Sequence, residues 1–373
     1  MGARSIEQVP VWIVTGFLGS GKTTLLNRVL CDTGFRQAAV VVGEYGTVGV
    51  DDRLLEASPA RKRIVDGGCQ CGHVHDEIGA RLLDLAQSRE DAADCDLFDC
   101  AIVETSGLDD PVPLVQLLST DPVITRHYAL QSVVTVVDGL HGRECLQRWS
   151  EAVKQASVAD TVVISKIDLA PPELLTSLQQ DIGRLNPAAR IFRAIRGDVD
   201  ARELLAPTVT DGAVDMVSRL AQIEQALSAN ANTRSAIDPL LATFALSHDE
   251  PVTRPGLVLW LHLLAGLRGS GLMRVKGIVN VEGRPVAIHA VQKVVSEPQE
   301  LAAWPDDDHR TRLVFIVRGM DADDVRTTFQ ALHTEAGRDT RNLVIRPERY
   351  AAFVKAIQAF RHSDTRPSPE SVL

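Results

Sequence analysis

The nine-residue stretch GFLGSGKTT, from Gly16 to Thr24, constrains this chain more than any other feature. It fits the pattern G-x-x-x-x-G-K-[ST], follows the apolar run VWIVT and precedes the helical pattern LLNRVL. Glycines let successive backbone N–H groups curl around an anion, and a helix N-terminus adds its positive end. The sequence therefore predicts a strand, a phosphate-binding loop and a helix in direct succession.

The residues of this loop have distinct expected roles. Lys22 is predicted to reach the β and γ oxygens of a nucleoside triphosphate, and the Thr23 hydroxyl is predicted to bind Mg²⁺. The other nucleotide contacts are assigned to the rest of the loop: Gly16, Gly19, Ser20, Gly21 and Thr24.

Short apolar runs rich in β-branched residues recur through the first half of the chain. They are AAVVVGE, CAIVETSG, SVVTVVDG, TVVISKID and IFRAI, with helical patterns between them. Runs that are apolar throughout suit parallel strands covered by helices on both faces. We therefore predict an α/β fold, a doubly wound and mostly parallel sheet, for a first domain over residues 1–206.

The pattern changes in the second half. Residues 207–238 combine TVTDGAVD and SANANTRSAID with one helical stretch, which is typical of a connection between domains. Beyond it, a helical pattern and strands joined by the short turn EGRP indicate antiparallel pairing. We predict a smaller α+β domain over 239–362 and a flexible polar tail over 363–373.

Residues at two strand ends are predicted to complete the nucleotide site. Glu104 ends the third predicted strand and can hold Mg²⁺ through water, while the N–H of Gly107 can meet the γ-phosphate. In ISKID, Asp168 can accept from N1–H and the 2-amino group of guanine, and the Lys166 stem can cover the ring. Ser165 lies where the guanine-specifying Asn-Lys-x-Asp element has Asn, which predicts a weaker tie to the phosphate loop. The pattern favours GTP over ATP.

Composition restricts location and partners. Apolar and charged fractions of 45% and 24% are those of a soluble globular protein, and the net charge of −10 argues against nucleic acid. No apolar run is long enough for a membrane helix. We predict a cytoplasmic protein with reduced thiols. Four isolated cysteines are expected to be buried structural residues: Cys31, Cys95, Cys100 and Cys145.

The stretch GGCQCGHVH, residues 67–75, places two thiols beside two imidazoles. Such residues can hold a soft metal, form a redox pair or merely share a loop. If the helical pattern DEIGARLLDLA begins near Gly72, His75 shares a helix face with Cys71.

Taken in order, GFLGSGKTT, GEYGTVGVDD, GGCQCG, IVETSGLDDP, ISKID and LMRVKG resemble the CobW-type family of GTP-dependent metallochaperones. The resemblance implies hydrolysis of GTP to GDP and phosphate, coupled to delivery of zinc or cobalt to a client metalloprotein. It makes Lys22, Thr23 and Glu104 the catalytic residues. No glutamine that would orient water and no arginine finger is evident, so we predict slow turnover that a partner or a homodimer accelerates.

The family's metal motif is Cys-x-Cys-Cys, and this chain departs from it. Cys69 and Cys71 match the first two thiols, but Gly72 occupies the third position. A tetrahedral site needs three or four ligands, so two thiolates alone leave it incomplete. The resemblance implies Glu44 as an oxygen ligand, and a nitrogen can come from His73 or His75.

Three functions remain open. The first is a metal-delivering GTPase. The second is a GTP-dependent switch or assembly factor without metal transfer, which Gly72 permits. The third is a P-loop kinase acting on a small molecule, which gives no role to Asp168.

Overall fold

The computed structural model describes most of the chain in two compact units, residues 1–213 and 214–373. The described residues are 8–32, 38–43, 64–66, 74–90, 98–206, 223, 237–238, 240–268, 271–296, 298–329 and 332. For 64–66, 74–75, 90 and 265–268 the description covers the backbone alone.

The described strands of the first unit form one parallel sheet. In chain order they are β1 (Val9–Thr15), β2 (Ala38–Val42), β3 (Ile64–Asp66), β4 (Cys100–Glu104), β5 (Tyr128–Asp138), β6 (Thr161–Ser165) and β7 (Arg190–Arg193). Their spatial order is β3-β2-β4-β1-β5-β6-β7, and every pair is parallel. The central strand β1 therefore delivers the phosphate loop between the ends of β4 and β5.

Helices connect these strands. Their bounds are α1 (Lys22–Cys31), α2 (Val74–Glu90), α3 (Val112–Thr120), α4 (Ile124–His127), α5 (Gly142–Arg148), α6 (Ser150–Val158), α7 (Pro172–Leu185) and α8 (Ala201–Leu204). Apolar residues of α1 pack with alternate residues of the central strands, among them Val14, Val136 and Val163. The predicted parallel α/β domain is confirmed. IVETSG, however, ends the fourth described strand, because the three-residue β3 is too short to give a periodic signal.

The described strands of the second unit form an antiparallel sheet, as predicted. Its elements are β8 (Leu241–His248), α9 (Arg254–Arg268), β9 (Leu272–Val281), β10 (Arg284–Val291), β11 (Val294–Val295), β12 (Gln299–Glu300), β13 (Thr311–Arg318) and α10 (Ala322–Thr328). The strand order is β11-β10-β9-β13-β8, and β12 pairs with β10. The turn EGRP joins β9 to β10 through Glu282 and Gly283, both at positive φ (54° and 90°), as a type I′ hairpin requires.

Three of the isolated cysteines lie in the described part of the chain, and they differ. Cys100 is buried in β4, where burial and the charge of Asp99 raise the pKa of its thiol to about 12. Cys31 is exposed at the end of α1, and Cys145 is half-buried in α5. The prediction of a buried thiol is therefore wrong for Cys31 and only partly right for Cys145. Cys95 lies outside the described residues.

None of the helices in the described residues is long and apolar enough to cross a membrane.

Candidate nucleotide-binding site

The phosphate loop joins β1 to α1 in a conformation that depends on glycine. Gly16 has a φ of 143°, and a Cβ there would lie 2.2 Å from the carbonyl oxygen of Val136. Gly21, at the N-cap of α1, has a φ of 96°. Within the described structure, no side chain caps α1, and its first turn carries no acidic residue. Neither a capping side chain nor a carboxylate in the first turn therefore competes with an anion at this helix end.

Lys22 lies at the start of α1 with its side chain folded over the loop. Its Nζ donates to the carbonyl oxygens of Gly16 at 2.9 Å and Phe17 at 3.4 Å. The ammonium group is thereby held beside the glycine-rich backbone, where a phosphate would meet it.

Thr23 and Glu104 come together although they are far apart in sequence. Glu104 ends β4 in register with Val14 of β1, and it is only 3% exposed. The Thr23 hydroxyl donates to its Oε1 at 2.9 Å. A hydroxyl and a carboxylate oxygen in contact are ligands of the type that Mg²⁺ prefers. The pair therefore fits the predicted magnesium site.

The segment after β4 packs against the phosphate loop. A Cβ on Gly107 would lie 2.6 Å from the backbone nitrogen of Leu18. Gln155 of α6 holds this segment, because its Nε2 donates to the carbonyls of Gly107 (3.1 Å) and Asp109 (3.0 Å). Gln155 was not predicted; its only sequence signal is a polar residue within the apolar stripe of α6.

The segment after β6 is tied to the phosphate loop at two points. The Ser165 hydroxyl donates to the Ser20 carbonyl at 2.6 Å. Lys166, at a φ of 53°, donates through Nζ to the Gly19 carbonyl, also at 2.6 Å. Ser165 thus makes its tie to the phosphate loop as a direct hydrogen bond, and a tie weaker than that of an asparagine stays a prediction. Asp168 is exposed in the turn that follows.

Asp138, at the end of β5, fixes the position of Lys166. Its Oδ2 accepts from Lys166 Nζ at 2.6 Å, and its Oδ1 accepts from the N–H groups of Leu140 and His141. Burial acts to raise the pKa of Asp138, but these hydrogen bonds outweigh it and hold the pKa below its ordinary value. The sequence predicted a strand at Asp138 but did not predict that its carboxylate holds Lys166.

A loop after β7 was also missed by sequence reasoning. Arg196 and Gly197 have positive φ values of 51° and 75°, and a Cβ on Gly197 would lie 2.8 Å from the Thr24 carbonyl. Asp198 pairs with Arg28 of α1 at 3.2 Å. The loop therefore lies against the start of α1, a contact that local sequence could not reveal.

An aromatic pair borders the loop on its other side. Phe17 stacks on Trp149, with ring centroids 5.7 Å apart and planes 29° apart. Trp149 lies between α5 and α6 and is 43% exposed.

The structure leaves the predicted transition-metal ligands open. His75 lies in the first turn of α2, where only the backbone is described. The described helix begins at Val74, after Cys71. The expectation that His75 and Cys71 share a helix face therefore stays a prediction. Within the described part of the chain, no three His, Cys, Asp or Glu side chains are grouped to hold a metal. The other candidates lie outside the described residues: Glu44, Cys69, Cys71 and His73.

A glycine-rich loop between a strand and a helix, facing a carboxylate on the adjacent strand, defines a P-loop nucleotide-binding domain. Comparison with known families agrees. Residues 10–193 match the CobW/HypB/UreG nucleotide-binding domain, and residues 241–333 match the cobalamin synthesis protein CobW C-terminal domain. The chain therefore belongs to the CobW-type family of P-loop GTPases.

Individual proteins of this family are similar to the chain over half of its length or more. Zinc chaperone YjiA of Escherichia coli is 27% identical over 329 residues, covering 88% of this chain and 99% of that protein. Zinc-regulated GTPase metalloprotein activator 1 of Schizosaccharomyces pombe is 30% identical over 203 residues, covering 52% of this chain and 48% of that protein. The crystal structure of Zn(II)-bound YjiA GTPase superposes with a TM-score of 0.62 at 22% identity, covering 88% and 99%, which supports the fold.

Proposed function

We propose that this protein hydrolyses GTP and couples the nucleotide cycle to binding a zinc ion and delivering it to a client metalloprotein. The Thr23–Glu104 contact at 2.9 Å carries this proposal, because it joins the start of α1 to the end of β4, which pairs with the end of β2, two residues before Glu44 in sequence. The names of two relatives, a zinc chaperone and a zinc-regulated GTPase metalloprotein activator, support zinc as the cargo. Cobalt is the alternative cargo.

In this proposal the phosphate loop and its neighbours hold GTP with Mg²⁺. Thr23 ligates the ion and Glu104 holds it through water, while Lys22 contacts the β and γ oxygens. When bound, Mg²⁺ neutralises charge on the β and γ oxygens. Gly107 donates its N–H to the γ-phosphate, and Asp168 accepts from guanine. The remaining contacts come from Gly16, Gly19, Ser20, Gly21, Thr24 and Lys166.

The chain path supports a metal site close to this nucleotide. The N–H of Gly43 donates to the backbone carbonyl of Glu104 at 2.8 Å, so the residue before Glu44 lies beside the backbone of Glu104. Val42 of β2 pairs with Asp66 of β3, immediately before GGCQCG. The last described residues before the two candidate segments thus lie at neighbouring strand ends. We assign the zinc ligands to Cys69, Cys71, Glu44, and either His73 or His75.

A comparison of zinc affinities tests this coupling. Zinc is titrated against a chromophoric chelator with the protein bound to GDP–Mg²⁺ and then to a non-hydrolysable GTP analogue. We expect dissociation constants that differ at least about tenfold, since ligand geometry depends on the nucleotide. Equal affinity in the two states would contradict the coupling.

Matched cysteine variants serve as controls. Cys69→Ser with Cys71→Ser should abolish tight zinc binding and leave GTP affinity unchanged. Cys31→Ser, which removes an exposed thiol outside the motif, should keep both. Zinc binding that survives the double substitution would show that the zinc site does not include Cys69 and Cys71.

A second candidate is a GTP-dependent switch that transfers no metal, which Gly72 at the third cysteine position favours. It predicts GTP binding with no measurable affinity for zinc or cobalt in either nucleotide state. The titration above separates the two functions directly.

Hydrolysis by the isolated chain is proposed to be slow. Gln155, close to the phosphate loop, has its Nε2 occupied by the Gly107 and Asp109 carbonyls. Arg126, Arg193 and Arg196 are exposed. A client or a second copy of the chain is therefore proposed to accelerate the reaction.

A further inference from the structure

A cavity of about 300 Å³ lies behind the phosphate loop, between the end of β5 and helices α5 and α6. Its apolar lining includes Phe17, Leu18, Val137, Leu146 and Ala152. Neither Lys22, Thr23 nor Asp168 is among the residues that line it. Gly19, Ser20 and Lys166, which are assigned to nucleotide contacts, do line it, so the cavity adjoins the nucleotide site from the side of β5, α5 and α6.

The charged residues along this cavity compensate each other. Asp138 and Lys166 both line it, and they form an ion pair at 2.6 Å. An ionic ligand would have to compete with that pair for partners in a partly dehydrated space. The lining therefore suits an uncharged ligand.

One buried acceptor gives the cavity a specific chemistry. Gln155 lines it and is 0% exposed. Its Nε2 donates to two carbonyls, which can only accept, so the orientation of the amide is fixed. Its Oε1 is buried and has no hydrogen-bond partner among the described residues. A buried acceptor without a partner is unfavourable, so a ligand that donates to it is favoured.

The lining also connects the cavity to the nucleotide site. Phe17 and Leu18 belong to the phosphate loop itself. Gln155 holds the carbonyl of Gly107, and Lys166 holds the carbonyl of Gly19. A molecule that contacts these side chains therefore acts on both segments that flank the γ-phosphate position.

We propose that this cavity is a second ligand site, which takes a small, uncharged, mostly apolar molecule with one N–H or O–H donor and alters GTP turnover when occupied. Gln155 Oε1 accepts from the donor, and the apolar side chains cover the remainder. A cavity of about 150 Å³ holds benzene, so this one has room for about ten non-hydrogen atoms.

Ligand-observed ¹⁹F NMR on the full chain tests the site with 4-fluorophenol and 4-fluorotoluene, which have similar shapes and differ in the donor. We expect 4-fluorophenol to bind at least about tenfold more tightly, although the toluene is the more apolar of the two. Saturating GDP–Mg²⁺ should leave the phenol bound. GTP turnover should change at least about twofold on adding the phenol.

Cavity-filling variants locate the binding. Cys145 lines the cavity, so Cys145→Leu should abolish phenol binding and its effect on turnover. Cys31→Leu adds the same atoms at an exposed position and should change neither. Ala152→Leu fills the cavity from α6 and provides a second variant if Cys145→Leu does not fold.

Four results with the unmodified chain would overturn the proposal. They are no binding of 4-fluorophenol, equal binding of the two probes, displacement of the phenol by GDP, and binding that leaves turnover unchanged. Binding that persists in both cavity-filling variants would place the probe elsewhere and would also overturn it.

Discussion

Ser165 joins the base segment to the phosphate loop through a single hydroxyl. Its Oγ donates to the Ser20 carbonyl at 2.6 Å in a buried environment, and Gly21 lies close enough that a Cβ there would be 3.7 Å from the same oxygen. The short serine side chain thus reaches the loop directly at this position. The longer side chain of an asparagine would have to adopt a bent conformation to do the same.

Ser165→Ala should weaken GTP binding about fivefold, because a buried hydrogen bond of this kind contributes about 1 kcal/mol. Titration with a fluorescent GTP analogue measures the change. Ser157→Ala is the matched control, since its hydroxyl is also buried but donates to Val153 within α6. Equal effects of the two substitutions would show that the loss reflects general destabilisation and not the tie itself.

Asp138 makes stability depend on pH. The folded-state pKa lies below the ordinary value, so the ion pair with Lys166 stabilises the fold above the unfolded pKa of about 3.9. That contribution is lost as the pH falls through the depressed folded value. Asp138→Asn should therefore be less stable than the wild type at pH 7, and the difference should shrink towards pH 3.

Urea unfolding at pH 7 and pH 3 measures this difference. Asp198→Asn provides a control, because Asp198 forms an exposed pair with Arg28 in which its side chain is 72% accessible. Exposed pairs contribute little, so its effect should be small at both pH values. A pH-independent difference for Asp138→Asn would contradict the assignment of the ion pair.

At the scale of elements, the phosphate loop and the strands beside it could be predicted because their signals are local. A motif of nine residues and runs such as AAVVV carry their own pattern. The strands that were missed include β3, which has three residues, and β8, whose run LATFALSH mixes small and polar residues. Gln155 and Asp138 were missed because their partners lie far along the chain, 46 and 28 residues away at Asp109 and Lys166.

Two glycines with opposite surroundings test the packing of single elements. A Cβ on Gly277 of β9 would lie 2.1 Å from the Arg312 carbonyl on β13, so Gly277→Ala should destabilise the second unit by more than about 2 kcal/mol. A Cβ on Gly183 of α7 would have no heavy atom within 4 Å, so Gly183→Ala should stabilise the first unit by about 0.5–1 kcal/mol. Urea unfolding measures the free energy of unfolding of both variants. If Gly277→Ala left that free energy unchanged, β9 and β13 would be able to move apart.

At the scale of the whole molecule, the two compact units have separate cores. Trp260, Phe315 and Phe329 belong to the core of the second unit, and Trp12 and Leu26 to that of the first. All the residues assigned to GTP and Mg²⁺ lie within 1–213.

A fragment of residues 1–213 should fold and bind GTP with an affinity within about threefold of the full chain, since it keeps its own core and the whole nucleotide site. Circular dichroism and titration with the fluorescent analogue measure both properties. The fragment 214–373 is the control and should not bind the nucleotide. A folded first fragment that does not bind GTP would mean that the second unit contributes to the site.

The stack of Phe17 on Trp149 gives the molecule an intrinsic optical reporter. Of the four tryptophans, Trp12 and Trp260 are buried in the two cores and Trp304 lies in the second unit. Replacing those three with phenylalanine leaves one indole, in ring contact with the second residue of the phosphate loop. Its emission depends on this ring contact, so nucleotide exchange that moves the loop should change the emission and become measurable without an added dye.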